Sequence, residues 1–272
     1  MSEPVLSVRN LSIDYVGAET DLHAVKNVSF DIGPGEFFGL AGESGCGKST
    51  IAFAISRLHG PPALIRSGSQ ILVNGRDVLA LDDEALRAFR WREVAMVFQS
   101  AMNSLNPVLT IESQFYDVLK THTGMSRPAA RDRAAELLKL VDIPTGRLSA
   151  YPHQLSGGMR QRIVIAICMA LNPKLVILDE PTTALDVVVQ REILQRIEVL
   201  RRELGFAVLF ITHDLALMVQ VSDRIGIMLE GELVEVNEAQ AIYRSPQHAY
   251  TRKLWASMPR LHGEQIGRDA TV

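Results

Sequence analysis

The chain has 272 residues, 47% of them hydrophobic and 22% charged, and a formal net charge of −3 at pH 7. A chain of this length and hydrophobic content can bury a substantial core, in one large or two modest domains. A net charge so close to zero argues against a general polyanion-binding surface, and therefore against nucleic acid as a partner.

Targeting and redox features predict a cytosolic protein. The longest apolar run, residues 163–171, is too short to cross a bilayer, and residues 1–4 lack the basic start of a secretory signal. Cys46 and Cys168 stand far apart, so neither a disulfide framework nor a metal cluster is expected. Cys168 is predicted to be a buried small hydrophobic residue, whereas Cys46 is either a spacer or a modifiable thiol.

The first third of the chain has mostly strand patterns. Apolar and polar residues alternate over residues 5–15 and 25–32, as in half-buried strands. Residues 69–73 and 77–78 flank an Asn74-Gly75 pair, which is a hairpin signal. These segments predict a mixed or antiparallel sheet beside a buried strand over residues 36–41.

A phosphate-loop pattern, Gly-x-x-x-x-Gly-Lys-Ser, follows that buried strand and precedes an apolar helix over residues 51–55. Glycines let several backbone N–H groups point into one concavity, and the helix N-terminus adds its dipole. Lys48 can reach the outer phosphates, while the Ser49 hydroxyl can ligate Mg²⁺. The predicted nucleotide-binding residues of this segment are Gly42, Ser44, Gly45, Cys46, Gly47, Lys48, Ser49 and Thr50.

The middle of the chain changes from strands to helices. A short helix over residues 82–92 and a strand over 94–98 precede helical segments at 111–121, 128–141 and 156–171. Strands at 175–178, 207–211, 225–229 and 233–236 then alternate with helices at 187–204 and 214–221. This order predicts an α/β fold with a mostly parallel sheet, an N-terminal antiparallel β subdomain and an α-helical subdomain inserted at about residues 100–171.

Polar side chains follow several of the apolar strands. Asp179 and Glu180 end a buried strand, where two carboxylates are costly unless they serve a cation or a proton transfer. We expect Asp179 in the Mg²⁺ shell and Glu180 on the attacking water. Gln99 either touches the metal or is a solvated loop residue, and His213 either holds the γ-phosphate or is structural. Tyr15 either stacks on adenine or packs in the core.

A second phosphate-binding helix start occurs at Ser156, Gly157 and Gly158. Ser156 is a good helix N-cap, and the two glycines leave backbone N–H groups accessible to an anion. One nucleotide does not need two separate pockets of this kind. We therefore expect a composite site, in which the second patch of one subunit closes on the nucleotide of its partner.

Together these motifs resemble the ATPase subunit of an ATP-binding cassette (ABC) transporter, over about residues 5–259. The phosphate loop, Gln99, Leu-Ser-Gly-Gly-Met, Asp179-Glu180, Ala184-Leu185-Asp186 and His213 occur in family order. By this resemblance, Tyr15 stacks on adenine, Ser156 and Gly158 act in trans on the γ-phosphate, and Asp186 couples the two sites. The resemblance also implies an ATPase domain over residues 4–259, a tail over 260–272, ATP and Mg²⁺ as ligands, and catalytic roles for Glu180, His213 and Gln99.

A narrower resemblance is to the peptide/nickel importer branch. Residues 99–107 and 157–162 are similar to segments of that branch, and His248-Ala249-Tyr250-Thr251 resembles its His-Pro-Tyr-Thr element with alanine in place of proline. The cysteine-bearing C-terminal extension of the branch is not expected, because the sequence ends at Val272. Branch members serve peptides, nickel, glutathione and some oligosaccharides.

The resemblance implies a peripheral subunit on the cytoplasmic face of the inner membrane. Its expected partners are a second ABC ATPase subunit, identical or related, two separate permease subunits and, indirectly, a solute-binding protein. A soluble ABC ATPase acting on nucleic acid or ribosomes, and an exporter ATPase, are the alternatives. Tandem cassettes or coiled-coil insertions would favour the soluble class, and the sequence shows neither.

Overall fold

The computed structural model describes residues 3–17, 20–99, 104–182 and 185–256. The strands in these ranges are β1 (Leu6–Tyr15), β2 (Leu22–Ile32), β3 (Phe37–Gly42), β4 (Ala63–Ile65), β5 (Gln70–Val73), β6 (Arg76–Asp77), β7 (Val94–Val97), β8 (Leu175–Asp179), β9 (Ala207–Ile211), β10 (Arg224–Leu229) and β11 (Glu232–Glu238). The helices are α1 (Lys48–Ile55), α2 (Asp83–Phe89), α3 (Ile111–Thr123), α4 (Arg127–Leu140), α5 (Gly157–Cys168), α6 (Val187–Leu204), α7 (Leu215–Val221), α8 (Ala239–Arg244) and α9 (Ala249–Ala256).

The strands form two sheets. Five strands make an antiparallel sheet in the order β2-β1-β5-β6, with β4 also paired to β1. Six strands make the other sheet in the order β11-β10-β3-β9-β8-β7, parallel except for the β10–β11 pair. The antiparallel sheet, the mostly parallel sheet and the helices α3, α4 and α5 between β7 and β8 confirm the predicted fold class.

The large sheet separates two hydrophobic cores. Strands β3, β8 and β9 are buried along their whole length, because side chains of alternating residues enter different cores. Phe37 and Ala41 face a core shared with the helices α3 to α6. Phe38 and Leu40 face a core shared with α1 and the antiparallel sheet. The loop after β3 therefore begins at the end of a strand that has a hydrophobic core on each of its faces.

Polar caps set where the helices begin. The side chains of Asp82, Thr110, Asp186 and Asp214 each accept a hydrogen bond from a backbone N–H in the first turn of the following helix. This satisfies donors that have no partner within the helix. Gly205, in the left-handed conformation, ends α6 and leads directly into β9.

Some predicted boundaries are wrong. Residue 78 begins a 3₁₀ helix (Val78–Ala80) instead of continuing the ribbon, because the Asp77 carboxylate accepts from the Leu79 N–H at 2.9 Å. Helix α2 ends at Phe89 rather than at residue 92, because Trp91 has φ +71° and its N–H bonds to Val94 O. The strand β4 and the helices α8 and α9 were not predicted.

Other predictions lie partly outside the described residues. These are the predicted tail over residues 260–272, Ala184, and residues 100–103 at the start of the proposed helical subdomain. No helix of the described ranges combines the length and the hydropathy that a bilayer-spanning helix needs.

Candidate nucleotide-binding site

The loop between β3 and α1 is shaped by glycines with positive φ. Gly42, Gly45 and Gly47 have φ of 149°, 81° and 101°. A Cβ at Gly47 would collide with the carbonyl oxygen of Ala24, and one at Gly42 would collide with that of Met228. Glycine is therefore required at both ends of this turn. Ser44 and Gly45 are exposed at its tip, whereas Cys46 is buried.

Lys48, the first residue of α1, is buried with its ammonium turned into the loop. Its Nζ donates to the carbonyl oxygens of Gly42 at 2.8 Å and Glu43 at 2.7 Å, and lies 3.4 Å from the Cys46 Sγ. These bonds keep a positive charge inside the concavity formed by the loop. Such a charge can move from the carbonyl oxygens to phosphate oxygens without leaving the site.

Ser49 and Asp179 place two side-chain oxygen atoms side by side. The Ser49 hydroxyl donates to the Asp179 Oδ1 at 3.1 Å, which joins the start of α1 to the end of β8. Burial raises the pKa of Asp179, and the hydrogen bond from Ser49 only partly offsets this effect. A hydroxyl beside a carboxylate that is costly to ionise fits a hard divalent cation, which would stabilise the charged carboxylate.

Glu180 lies at the centre of a second polar cluster. Its Oε2 accepts from the Gln99 Nε2 at 2.9 Å, and its Oε1 lies 3.4 Å from the His213 Nδ1. The three residues follow the adjacent parallel strands β7, β8 and β9, whose carboxyl ends meet at one edge of the sheet. Glu180 itself has φ +45°, a conformation uncommon for a non-glycine residue.

Tyr15 lies at the end of β1, close to α1. Its hydroxyl is 3.2 Å from the Thr50 Oγ1, and its ring is half-buried. This position is beside the phosphate loop, at the end of a strand that pairs with β2 on one side and β4 on the other. The ring is therefore placed where a base attached to a loop-bound phosphate could be stacked.

The second predicted patch lies elsewhere on the protein. Ser156 caps α5 by accepting from the Met159 N–H at 3.3 Å, and Asp186 caps α6 by accepting from the Val188 and Val189 N–H groups. Both caps line a cavity of about 550 Å³, together with Gly157 and Gly158. None of residues 42–50 lines it.

Sequence reasoning missed two charged residues of this cavity. Asp142 and Arg147 lie in the segment between α4 and α5 and line this cavity. No motif singles them out, because they belong to a connecting segment without a periodic pattern. Cys168, in contrast, is buried as predicted, and burial raises the pKa of its thiol to about 12.

Strand β3 leads into a glycine-rich loop with a buried lysine, and α1 follows the loop. Strand β8 ends at Asp179, and Glu180 comes directly after it. These features define a P-loop nucleotide-binding protein. A model of the ABC transporter family matches residues 25–183. The chain belongs to the ABC transporter family.

Several relatives carry names of transport subunits. The chain is 46% identical over 272 residues to the peptidoglycan transport ATP-binding protein YejF of Agrobacterium fabrum, covering 99% of the chain and 50% of that protein. It is 43% identical to the dipeptide transport ATP-binding protein DppD of Bacillus subtilis, covering 95% of the chain and 78% of that protein. It is 42% identical to the glutathione import ATP-binding protein GsiA of Shigella dysenteriae, covering 97% of the chain and 44% of that protein. The chain thus spans about half the length of some of these relatives.

Solved structures agree with the family. A dimeric, post-hydrolysis structure of the ATP-binding cassette MJ0796, bound to ADP and phosphate, superposes with a TM-score of 0.75 at 32% identity. The match covers 86% of this chain and 98% of the other.

Proposed function

We propose that the chain is an ATP-hydrolysing subunit that drives solute import through separate membrane permeases. The observation that carries this proposal is the cluster of Gln99, Glu180 and His213 beside the Ser49–Asp179 pair, at one edge of the sheet and next to the phosphate loop. The relatives named for peptidoglycan, dipeptide and glutathione transport support a peptide or a related solute as the cargo.

In this proposal the chain's own groups divide the work. Lys48 binds the outer phosphates of ATP, and the backbone N–H groups of the loop surround them. Glu180 accepts a proton from the attacking water or orients it, and His213 and Gln99 hold the Glu180 carboxylate in place. Ser49 and Asp179, with Gln99 nearby, would hold Mg²⁺, which would neutralise charge on the phosphates when bound.

The cavity beside Ser156 supports a dimer as the active form. Its helix caps lie apart from the phosphate loop, so we infer that each nucleotide lies between two cassettes. The dimeric structure of MJ0796 with ADP and phosphate is consistent with such an arrangement. The second cassette is either a copy of this chain or a related subunit, and Asp186 would couple the two sites.

The variant Glu180→Gln tests the hydrolytic role. Glutamine keeps the size of the side chain but is a poor proton acceptor, so we expect turnover to fall by about 100-fold or more while ATP affinity stays within about threefold of wild type. ATPase assays and nucleotide titrations measure both values. Glu203→Gln, the same change at an exposed position near the end of α6, is the control and should leave turnover unchanged. Wild-type turnover in Glu180→Gln would refute the assigned role.

Co-purification tests the transport role against the alternative of a soluble ATPase on nucleic acid or ribosomes. A tagged chain is recovered from detergent-solubilised membranes, with and without nuclease treatment. We expect multi-span membrane subunits in the eluate in both cases. Recovery of ribosomal proteins that nuclease removes, without membrane subunits, would contradict the proposal.

A further inference from the structure

The backbone of Glu180, the residue that we propose acts on the attacking water, is strained. Its φ of +45° lies in the left-handed region, which is uncommon for a residue other than glycine. Such a conformation persists only where the surrounding structure fixes it. On the N-terminal side, the Glu180 N–H donates to the Ile211 carbonyl oxygen at the end of β9, at 2.9 Å. The chain on the C-terminal side of Glu180 must be held as well.

The two residues after Glu180 are buried and joined stiffly to it. The ring of Pro181 fixes its own φ, so this residue has one free backbone dihedral. The carbonyl oxygen of Thr182 accepts from two donors, the Leu185 N–H at 3.1 Å and the Gln190 Nε2 at 2.8 Å. A movement of Thr182 would therefore be passed to Glu180 through a single constrained residue.

Gln190 bonds both to Thr182 and to the start of α6. Its backbone N–H donates to the Asp186 carbonyl oxygen at 3.0 Å, in the first turn of the helix. Its side chain extends toward the helix N-terminus, as helical side chains do, and donates to the Thr182 carbonyl oxygen. Gln190 therefore keeps Thr182 at a fixed distance from the start of α6.

Helix α6 is a firm anchor for this contact. Ile193, Leu194 and Ile197 are buried in the core that also contains side chains of β8. The Asp186 carboxylate caps the first turn of the helix. Because both the start and the apolar face of α6 are fixed, the Gln190 side chain holds Thr182 against an element that does not move freely.

We propose that Gln190 is a positioning residue of the hydrolytic site, which acts on Glu180 through Thr182. This role deepens the proposed function and rests on it, since it requires that Glu180 acts on the attacking water. With the Gln190 bond in place, the Glu180 backbone keeps its positive φ, and its carboxylate keeps its contacts with Gln99 and His213. Without the bond, the carboxylate spends a smaller fraction of the time in the orientation that activates the water.

The variant Gln190→Met removes the donor but keeps the length of the side chain and a high helix propensity. We expect kcat for ATP to fall by about threefold to tenfold, because a misaligned proton acceptor slows the chemical step. ATP affinity should stay within about twofold of wild type, since Lys48 and the phosphate loop are unchanged. ATPase kinetics and ATP titrations measure the two quantities. The thermal midpoint should fall by no more than about 4 °C on loss of one hydrogen bond.

A double-mutant cycle shows whether Gln190 acts through Glu180. In a chain that carries Glu180→Gln the proton acceptor is already lost, so adding Gln190→Met should change the residual turnover by less than about twofold. A merely structural role of Gln190 would lower turnover by the same factor in both backgrounds. Gln195→Met is the matched control, because Gln195 is exposed on the same helix, and it should leave turnover unchanged.

Three results would overturn the inference: wild-type kcat in Gln190→Met, a loss of ATP affinity in place of kcat, or equal factors in the two backgrounds of the cycle. If Gln190→Met does not fold, Gln190→Glu takes its place, because an ionised carboxylate has the same length, cannot donate and is favourable near a helix N-terminus. Wild-type kcat in that variant has the same meaning. A wild-type chain that hydrolyses no ATP would instead contradict the proposed function.

Discussion

At the residue scale, Asp179 carries a charge that the folded protein stabilises poorly. The side chain is only 2% exposed, and burial raises its pKa despite the hydrogen bond from Ser49. The folded state therefore binds this proton more tightly than the unfolded state does. Between the unfolded-state pKa and the higher folded-state pKa of Asp179, the free energy of unfolding falls as pH rises.

Asp179→Asn removes this cost together with the carboxylate that we propose as a Mg²⁺ ligand. At pH 7, without Mg²⁺ or nucleotide, we expect a thermal midpoint equal to or above that of wild type, because the amide is neutral. Turnover should fall by about 100-fold or more, since the metal would lose its charged ligand. Calorimetry without metal and ATPase assays across Mg²⁺ concentrations measure the two effects. A less stable variant with wild-type turnover would show that Asp179 is structural.

Asp14 is the opposite case. The His23 Nδ1 lies 2.7 Å from its Oδ1, and Arg66 donates to its Oδ2. The hydrogen bond to His23 lowers the pKa of Asp14, burial opposes this, and Arg66 lowers it further. Because the folded-state pKa of Asp14 lies below the unfolded one, the contacts with His23 and Arg66 stabilise the protein above the unfolded-state pKa. This contribution is lost as pH falls through the folded-state pKa.

The variant Asp14→Asn should therefore lower the thermal midpoint at pH 7 by an amount on the order of 5 °C. The difference from wild type should shrink as pH falls through the acid range in which Asp14 becomes protonated. Thermal unfolding across pH checks this. The prediction fails if the difference is the same at neutral and acid pH.

At the element scale, the turn between β3 and α1 depends on two glycines that differ in their surroundings. A Cβ at Gly47 would meet the Ala24 backbone, whereas a Cβ at Gly45 would meet no atom within 4 Å, although both residues have positive φ. Substitution at Gly45 adds backbone strain alone. Substitution at Gly47 adds strain and a collision with a carbonyl oxygen that cannot move freely.

We expect Gly45→Ala to cost about 1 kcal/mol of unfolding free energy and Gly47→Ala about 3 kcal/mol or more. Only the second variant should also lose most of its nucleotide affinity, because the start of α1 must shift. Denaturant unfolding and nucleotide titration of the pair decide this. Equal costs at the two positions would contradict the account of the turn.

Local patterns predicted the elements that carry their own signals. Continuous apolar runs predicted β8 and β9, and an Asp cap predicted the start of α2. Helix α9 lacks such a signal because it is short and depends on the Glu235 carboxylate, a tertiary contact. Strand β4 has three residues and exists through pairing with β1.

The residues of the candidate site also fall into two groups, those with a local sequence signal and those whose contacts depend on the tertiary fold. The phosphate loop and Asp179-Glu180 could be identified from residue type and spacing, because their chemistry lies in consecutive residues. That Gln99 and His213 follow apolar strands was visible in the sequence, but their contacts with Glu180 depend on strand order.

At the scale of the whole molecule, the two features that we propose bind nucleotide lie apart on one chain. The phosphate loop follows β3, whereas the Ser156 cap of α5 opens into a cavity that no loop residue lines. If one cassette closes on another, the Lys48 of one chain faces the Ser156 of its partner. Each site then requires groups from both chains.

Mixing two inactive variants tests this arrangement. Lys48→Ala removes the phosphate contact of the loop, and Ser156→Asp places a negative charge where the γ-phosphate would bind. Aspartate is itself a good N-cap, so α5 should keep its cap, and the thermal midpoints of both variants control for folding. Either variant alone has two defective sites in a symmetric dimer.

The decisive measurement is therefore the ATPase rate of a one-to-one mixture of purified Lys48→Ala and Ser156→Asp chains. A mixed dimer has one intact site, so random pairing should restore up to about a quarter of the wild-type rate, while each variant alone stays inactive. The wild-type chain alone, measured as an active dimer, is the control for this test. Against that control, a mixture as inactive as its components, or full activity of Ser156→Asp alone, would contradict a nucleotide held between two cassettes.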